Sequence, residues 1–143
     1  MKPITFTILE RFAVVQAIEQ RIKEKSKEEL LYWALDCLQP LFDIVLLTQE
    51  AKNIVEHVHT YHINTIAVQD GRKLALQIHA LARKEVDPKR IFTYRALGHT
   101  IATIHVNRHA YGMVLYSLKA YYEMGFSLEQ LIEISTIYQK KLG

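Results

Sequence analysis

A chain of 143 residues, 50% of them hydrophobic and 23% charged, is about as long as one domain and has an ordinary globular composition, which excludes intrinsic disorder. Its net charge of +3 comes from basic and acidic residues that are interleaved along the chain, a pattern more typical of solvated helix ends than of a nucleic-acid-binding surface. The single cysteine, Cys37, excludes an internal disulfide, and the lack of a signal-peptide pattern or a long apolar run favours a cytoplasmic protein with no membrane partner.

Apolar residues recur every three or four positions along almost the whole chain, with only five glycines and three prolines. This pattern predicts an all-α fold, a compact bundle of about six to seven helices in a single domain spanning residues 1–143. In chain order, the predicted helices cover about residues 8–25, 26–48, 49–59, 64–85, 87–105, 108–124 and 127–138.

Capping residues mark most of these helix ends. Three segments have the S/T-x-x-E/Q form of a capping box, in which the first and last side chains bond each other's backbone N–H groups. They begin at Thr7, Ser26 and Ser127. Asp87 precedes Pro88, a pair that favours a helix start because the first turn does not use the N–H that proline lacks. Gly125 is placed to end the helix before it.

Three positions predict interruptions within the helical pattern. Pro40 lacks a backbone donor and clashes with the carbonyl of Asp36, so we expect a kink or a short break there. Asp70-Gly71 is a weaker turn signal inside the fourth predicted helix. Asn107 is a favourable N-cap, and it predicts that residues 108–124 form a helix separate from the one before.

The most distinctive chemistry lies in residues 95–120, where His99, His105 and His109 stand beside small residues that let helices approach closely. His105 and His109 are four apart, as zinc ligands on one helix face often are, but no Glu follows the first histidine and a break at Asn107 would destroy the spacing. We therefore expect histidines packed between helices. A metal site formed by His99, His105 and His109 is the alternative.

Asp36 is the one carboxylate in an otherwise apolar segment. Such a group is either solvated on the outer face of its helix or buried and paired. Arg95 and His99 lie one turn apart on the fifth predicted helix and could supply the partner. We favour pairing, which would make a polar cross-brace between the second and fifth helices. The expected polar seam consists of Asp36, Arg95, His99, His105 and His109.

Two further clusters, one of histidines and one of tyrosines, are interpreted without a catalytic role. His57, His59 and His62 lie near a helix end, where imidazolium interacts well with the helix dipole, and we assign them no site. The five tyrosines of residues 94–122 are interpreted as core filling, with a base-stacking surface or an oligomerising tyrosine-rich face as the alternatives. Catalysis has little support, because Cys37 lies among apolar residues and neither a glycine-rich phosphate loop nor a carboxylate pair is present.

Two motifs occur in a fixed order: Y-W-A-L-D-C-L-Q-P-L-F in residues 32–42, and Y-R-A-L-G-H-T-I-A-T-I-H-V-N-R-H-A-Y-G-M-V-L-Y-S-L-K-A in residues 94–120. The stretch 30–120 that contains them resembles the bacterial putative immunity protein family of polymorphic toxin systems, an immunity-five-like family. The polar positions that match the family pattern are Trp33, Asp36, Cys37, Arg95, Gly98, His99, Thr103, His105, His109, Tyr116 and Lys119. The segment between the motifs matches no pattern of that family.

The resemblance implies an all-α domain with an inhibitory, non-catalytic role and no cofactor. Our first hypothesis is therefore an interaction protein that binds and neutralises a cognate protein toxin, in which substitution of Asp36 or His99 lowers folding stability. The alternative is a metal-binding helical protein or a metal-dependent enzyme that uses His99, His105 and His109. A third option is a helical scaffold that forms a homo-oligomer.

Overall fold

The fold was examined in a computed structural model that describes residues 2–60 and 66–143. All regular structure in those ranges is helical, which confirms the all-α class. Eight helices follow in order: α1 (Phe6–Glu10), α2 (Ala13–Ile22), α3 (Lys27–Ile44), α4 (Gln49–Thr60), α5 (Val68–Lys84), α6 (Pro88–Ala102), α7 (His109–Glu123) and α8 (Leu128–Leu142). The number exceeds the predicted six to seven because the first predicted helix is divided. Among these helices, none has the length and apolar character to cross a bilayer.

The division of the first predicted helix lies at Arg11 and Phe12. The hydroxyl of Thr5, not that of Thr7, accepts the backbone N–H of Ile8 at 3.3 Å, so the capping box expected at Thr7 is not formed. Phe12 then takes an extended conformation and packs against the core. Neither glycine nor proline marks this break, and tertiary packing therefore overrides the local helical propensity.

The helix α3 runs through Pro40 without the expected break. Pro40 is exposed and lies one turn before the end of the helix at Ile44, so only the last turn is affected. The predicted extension to Thr48 is wrong, because the Thr48 hydroxyl instead accepts the N–H of Ala51 at 3.2 Å and caps α4. The capping box of Ser26 and Glu29 at the start of α3 is confirmed.

The turn signal at Asp70-Gly71 marks a close helix approach and not a turn. The helix α5 is continuous through Gly71, and a Cβ built there would lie 2.9 Å from Cγ2 of Ile104. Gly71 therefore gives the segment after α6 room to pack on α5. The predicted start of this helix at Asn64 or Thr65 lies outside the described residues.

The boundaries of α6 and α7 agree with the sequence in part. Asp87 caps α6 through the N–H of Lys89 at 3.2 Å, as expected. However, α6 ends at Ala102, so His105 lies in the connecting turns and not on the helix. The N-cap of α7 is Arg108, one residue after the predicted Asn107, and it makes no side-chain cap hydrogen bond.

Buried hydrogen bonds tie the C-terminal helix α8 to α3 and α7. The indole N–H of Trp33 donates to the carbonyl of Tyr138 at 2.9 Å, and the Tyr138 hydroxyl donates to Ser117 Oγ at 2.9 Å. The helix α6 packs most extensively along α5 and α7. The chain between α7 and α8 reverses at Gly125, whose φ of +95° favours glycine, as the expected helix end requires.

The capping box at Ser127 is formed and the one at Thr7 is not, so the two residues should contribute differently to the free energy of unfolding. Ser127→Ala should lower the free energy of unfolding by about 1 kcal/mol, because the Ser127 hydroxyl accepts the N–H of Gln130 at 3.1 Å. Thr7→Ala should change it by less than about 0.5 kcal/mol, because Thr7 is an exposed residue inside α1. Urea unfolding measures both, and equal losses would contradict the assignment of the caps.

Candidate functional site

Asp36 does not join the polar seam that the sequence predicted. Its side chain is 65% exposed on the outer face of α3, and its carboxylate pairs with the ammonium of Lys141 in α8 at 3.3 Å. The expected cross-brace to Arg95 and His99 is therefore wrong. The reason is helical geometry, because Asp36 shares its face of α3 with the exposed residues Gln39 and Asp43, opposite the buried stripe.

The exposure of this ion pair predicts a small energetic role. Asp36→Asn should change the free energy of unfolding by less than about 1 kcal/mol, the usual range for exposed pairs. Lys141→Gln is the matched variant and should have the same small effect. Thermal or urea unfolding measures both, and a loss of about 3 kcal/mol or more in either would indicate the buried pair that the structure lacks.

The other four predicted seam residues come together, and a fifth joins them. His79 of α5 lies beside Arg95 and His99 of α6, while His109 begins α7 and His105 lies in the turns before it. Ring centroids are 5.4 Å apart for His79 and His99, 5.2 Å for His99 and His109, and 5.3 Å for His105 and His109. We call these five residues the histidine cluster.

Two glycines create the space for the imidazoles. A Cβ built at Gly98 would lie 2.6 Å from Cε1 and Nε2 of His79, and one built at Gly112 would lie 2.6 Å from Cγ and Nδ1 of His99. Each ring thus occupies the volume that a side chain of the next helix would otherwise take. The ring of His99 is also stacked on Tyr116, with centroids 5.2 Å apart and planes 18° apart.

The hydrogen bonds of the cluster fix the protonation of one ring. Nη1 of Arg95 lies 2.8 Å from Nδ1 of His79, and a guanidinium can only donate, so Nδ1 of His79 is an unprotonated acceptor. Nδ1 of His99 lies 3.1 Å from Nδ1 of His109, so one of these two rings donates and the other accepts. These contacts suit a largely neutral imidazole cluster.

Burial and neighbouring cations hold the histidines in their neutral forms. Burial, followed by the charges of Arg95 and Arg83, lowers the pKa of His79 to about 4. Burial, followed by interaction with His79 and His109, lowers the pKa of His99 to about 4. Burial also lowers the pKa of His105 and of His109. At neutral pH the lasting positive charge near the cluster therefore belongs to arginine and lysine side chains.

The cluster reaches the surface through two depressions that share His109. One, of about 270 Å³, is lined by Arg72, His79 and His105 among others. The other, of about 300 Å³, is lined by His99, Val106 and Arg108 among others. Nδ1 of His105 is shielded from solvent, yet it has no hydrogen-bond partner. Solvent or a partner can thus reach the cluster at His109, and Nδ1 of His105 lacks a hydrogen bond.

The metal-site alternative is not supported by this geometry. Within residues 2–60 and 66–143, no group of three or more His, Cys, Asp or Glu side chains is arranged to hold a metal ion. The break after Ala102 removes the helical spacing of His105 and His109 that suggested zinc ligands. Instead, Nδ1 of His79 accepts from Arg95, and Nδ1 of His99 and Nδ1 of His109 bond each other.

Most other motif residues serve packing. The thiol of Cys37 is buried and its pKa is raised far above its usual range by that burial, which leaves it unreactive. Lys119 lies over the rings of Phe6 and Phe92, at 4.6 and 5.0 Å from their centroids. Burial lowers the pKa of Lys119. The Thr103 hydroxyl donates to the carbonyl of His99 at 3.2 Å and closes the end of α6.

The tyrosines do not form an exposed face. Tyr94, Tyr111 and Tyr121 are buried, and Tyr116 and Tyr122 are half-buried. Core filling is therefore the correct interpretation for these five tyrosines, and within the described parts of the chain they form no exposed oligomerisation face. His57 and His59 are exposed in the last turn of α4, while His62 lies outside the described residues.

His79 is the member of the cluster that the sequence interpretation missed. It follows Ala75 by four residues and precedes Ala82 by three, so helical spacing alone places it on the inward stripe of α5. Two small buried neighbours on that stripe leave room for an imidazole. This spacing is the signal that could have identified it.

Comparisons with known proteins identify one family. The family model described as Imm-5 like putative immunity protein matches residues 20–139, which is most of the chain and extends beyond both sequence motifs. No curated protein and no solved structure is significantly similar to the chain.

Proposed function

This chain belongs to the Imm-5 like putative immunity protein family, and from that membership we propose that it binds a cognate protein toxin and neutralises it without catalysis. It acts as one domain in the cytoplasm and requires no cofactor. The observation that carries the proposal is the family match over residues 20–139. Inhibition follows from occupying a surface that the toxin needs, so the protein has to fold and to present a complementary face.

The chemistry of the histidine cluster supports binding over catalysis. General acid–base catalysis near neutral pH works best with a pKa close to the operating pH, whereas the pKa values of His79 and His99 lie near 4. The single thiol is buried and unreactive. The rings of His79 and His99 pack against glycines of the next helix and hold α5, α6 and α7 together. This packing leaves His109 at the surface.

A co-expression assay tests the proposal. Each toxin-like open reading frame that neighbours this gene is expressed in a bacterial host with and without the chain, and growth is measured. We expect the chain to restore growth against one of them. Leu97→Asp, which places a charge in the core, is the control that should abolish rescue by unfolding the protein. Failure to protect against any neighbouring product would contradict the proposal.

The stoichiometry of inhibition separates blocking from enzymatic inactivation. Purified chain is titrated into a fixed amount of the neutralised toxin, and the remaining toxin activity is recorded. A blocking protein reaches full inhibition at about one chain per toxin, whereas an enzyme that modifies the toxin would act at far lower ratios. Light scattering on the free chain and on the complex gives the oligomeric state, since a homo-oligomer remains a prediction.

A further inference from the structure

Two exposed arginines border the histidine cluster, and neither forms an ion pair with a carboxylate in the part of the chain that the structure describes. Arg72 lies on the outer side of α5 and Arg108 immediately before α7, one in each of the depressions that share His109. No Asp or Glu lines either depression. Glu19 lines a neighbouring depression with Arg108, but the ion pairs of the described residues do not include it. Glu19 therefore offsets part of the charge of Arg108 from a distance, but neither Arg72 nor Arg108 forms an ion pair among the described residues.

A third guanidinium beneath them adds to this charge. Arg95 is half-buried, its guanidinium donates to the neutral ring of His79, and none of the ion pairs among the described residues involves it. Burying a cation beside a neutral ring and near Arg83 is unfavourable unless an anion approaches. Arg72, Arg95 and Arg108 thus concentrate positive potential around the histidine cluster.

Arg108 occupies a position that works against helix stability. It is the N-cap of α7, where the helix dipole favours negative charge, and it forms no side-chain cap bond. The first turn of α7 contains no acidic residue to offset it. A residue that weakens its own helix without a local compensation is typical of a functional surface.

Apolar side chains complete this surface. Leu76, 62% exposed, lines one depression beside Arg72, and Val106, 43% exposed, lines the other beside Arg108. Exposed apolar side chains beside arginines that form no ion pair are common at protein interfaces, where arginine is enriched. We define the cationic face as Arg72, Leu76, Val106 and Arg108 together with His105 and His109.

We propose that the cationic face is the surface that contacts the toxin, and that it receives an acidic patch of that toxin whose carboxylates lie over Arg72, Arg108 and His109. The inference rests on the proposed function, since it names the surface through which neutralisation occurs. The occupant is a protein and not a nucleic acid, because the tyrosines of residues 94–122 are buried or half-buried and the net charge is only +3.

Proton uptake by His105 and His109 should accompany binding at this interface. The titratable and charged groups that contact His109 or line its two depressions are His79 and Arg72 of α5, His99 of α6, His105 and Arg108 of the connecting turns, and Tyr111 of α7. None of them is a carboxylate, and Lys27 of α3 adds to the positive charge near His105. Carboxylates brought by a partner would therefore raise the pKa of His105 and His109 from their lowered values. Binding should take up protons and become stronger as pH falls through the raised pKa values of the two rings.

Charge reversal at the two arginines tests the surface directly. Arg108→Asp should leave the melting temperature unchanged or raise it, because an acidic N-cap suits the helix dipole, while it weakens toxin binding. With Arg72→Glu added, we expect the dissociation constant to rise by at least about tenfold and growth protection to be lost. Lys52→Glu and Lys140→Glu, exposed positions on α4 and α8, are the matched controls and should bind as the wild type does.

Calorimetry in buffers of different ionisation enthalpy measures the proton uptake on binding. We expect the wild type to take up protons and His109→Gln to take up fewer. If the chain neutralises a toxin and the Arg72→Glu, Arg108→Asp variant still binds it with the wild-type constant, the cationic face is not the interface, although the proposed function stands. A wild type that neutralises none contradicts the proposed function itself.

If no neutralised toxin is found, a peptide titration on the free chain still tests the cationic face. A 15-residue polyglutamate peptide is added to isotope-labelled protein, with polylysine and a 20-base-pair DNA duplex as comparison probes. We expect polyglutamate to shift the resonances of Arg72, Arg108 and His109 above all others, and the shifts to vanish in the charge-reversed variant. Shifts spread evenly over the chain, or preferential binding of the DNA at this face, would overturn the proposal.

Discussion

Gly112→Ala should destabilise the fold by about 1 to 2 kcal/mol, although alanine is normally the better helix former by about 1 kcal/mol. The new Cβ would meet Cγ and Nδ1 of His99 at 2.6 Å and Cβ of His99 at 3.1 Å. These atoms lie near the backbone of α6, so the ring cannot turn away from them. Either α7 moves from α6 or the His99 ring leaves its stack on Tyr116.

Gly98→Ala is the matched comparison and should cost less. There the new Cβ would meet the far end of the His79 ring, at Cε1 and Nε2, and that end can move by a side-chain rotation. A double-mutant cycle isolates the contact, because Gly112→Ala in a His99→Ala background should be neutral or stabilising. Urea unfolding gives all the free energies. Equal losses with and without His99 would show that the clash is not the cause.

Local hydrogen bonding explains which parts of the fold the sequence predicts well. The caps at Ser26, Asp87 and Ser127 each join groups within three residues, so short motifs determine them. The break at Phe12 and the continuity of α5 through Gly71 depend on tertiary packing instead. Ile104 needs the room at Gly71, and that need is not visible in residues 68–84.

The candidate site was predictable where one segment supplies several members. Arg95, His99, His105 and His109 lie within fifteen residues, and they do converge. Asp36 was misplaced because a single carboxylate has no local partner, although its spacing from Gln39 and Asp43 indicates the outer face. Long-range partners such as Lys141 come from the packing of α8 on α3.

The paired glycines and histidines form the physical link between fold and proposed function. Each ring fills a gap left by a glycine on the neighbouring helix, so α5, α6 and α7 approach closely without a purely apolar interface. The same packing desolvates the rings and keeps them neutral. Protonation of these neutral rings therefore lowers the stability of the fold.

Acid should unfold the protein chiefly through His79 and His99. Their pKa values lie near 4 in the folded chain and near 6.5 when unfolded, so the unfolded state binds more protons below pH 6.5. The stability they contribute is complete above pH 6.5 and is lost as pH falls towards 4. Solvent reaches both rings and screens part of the effect, so we expect a loss of about 2 to 4 kcal/mol in total.

Urea unfolding at intervals between pH 7 and pH 4 measures this loss as a slope of stability against pH. His79→Gln combined with His99→Gln should flatten the slope across that window, even if the variant is less stable at pH 7, because glutamine does not titrate. His59→Gln, an exposed histidine on α4, is the control and should leave the slope unchanged. A double variant with the wild-type slope would show that other groups govern acid unfolding and that the cluster is not held neutral by its packing.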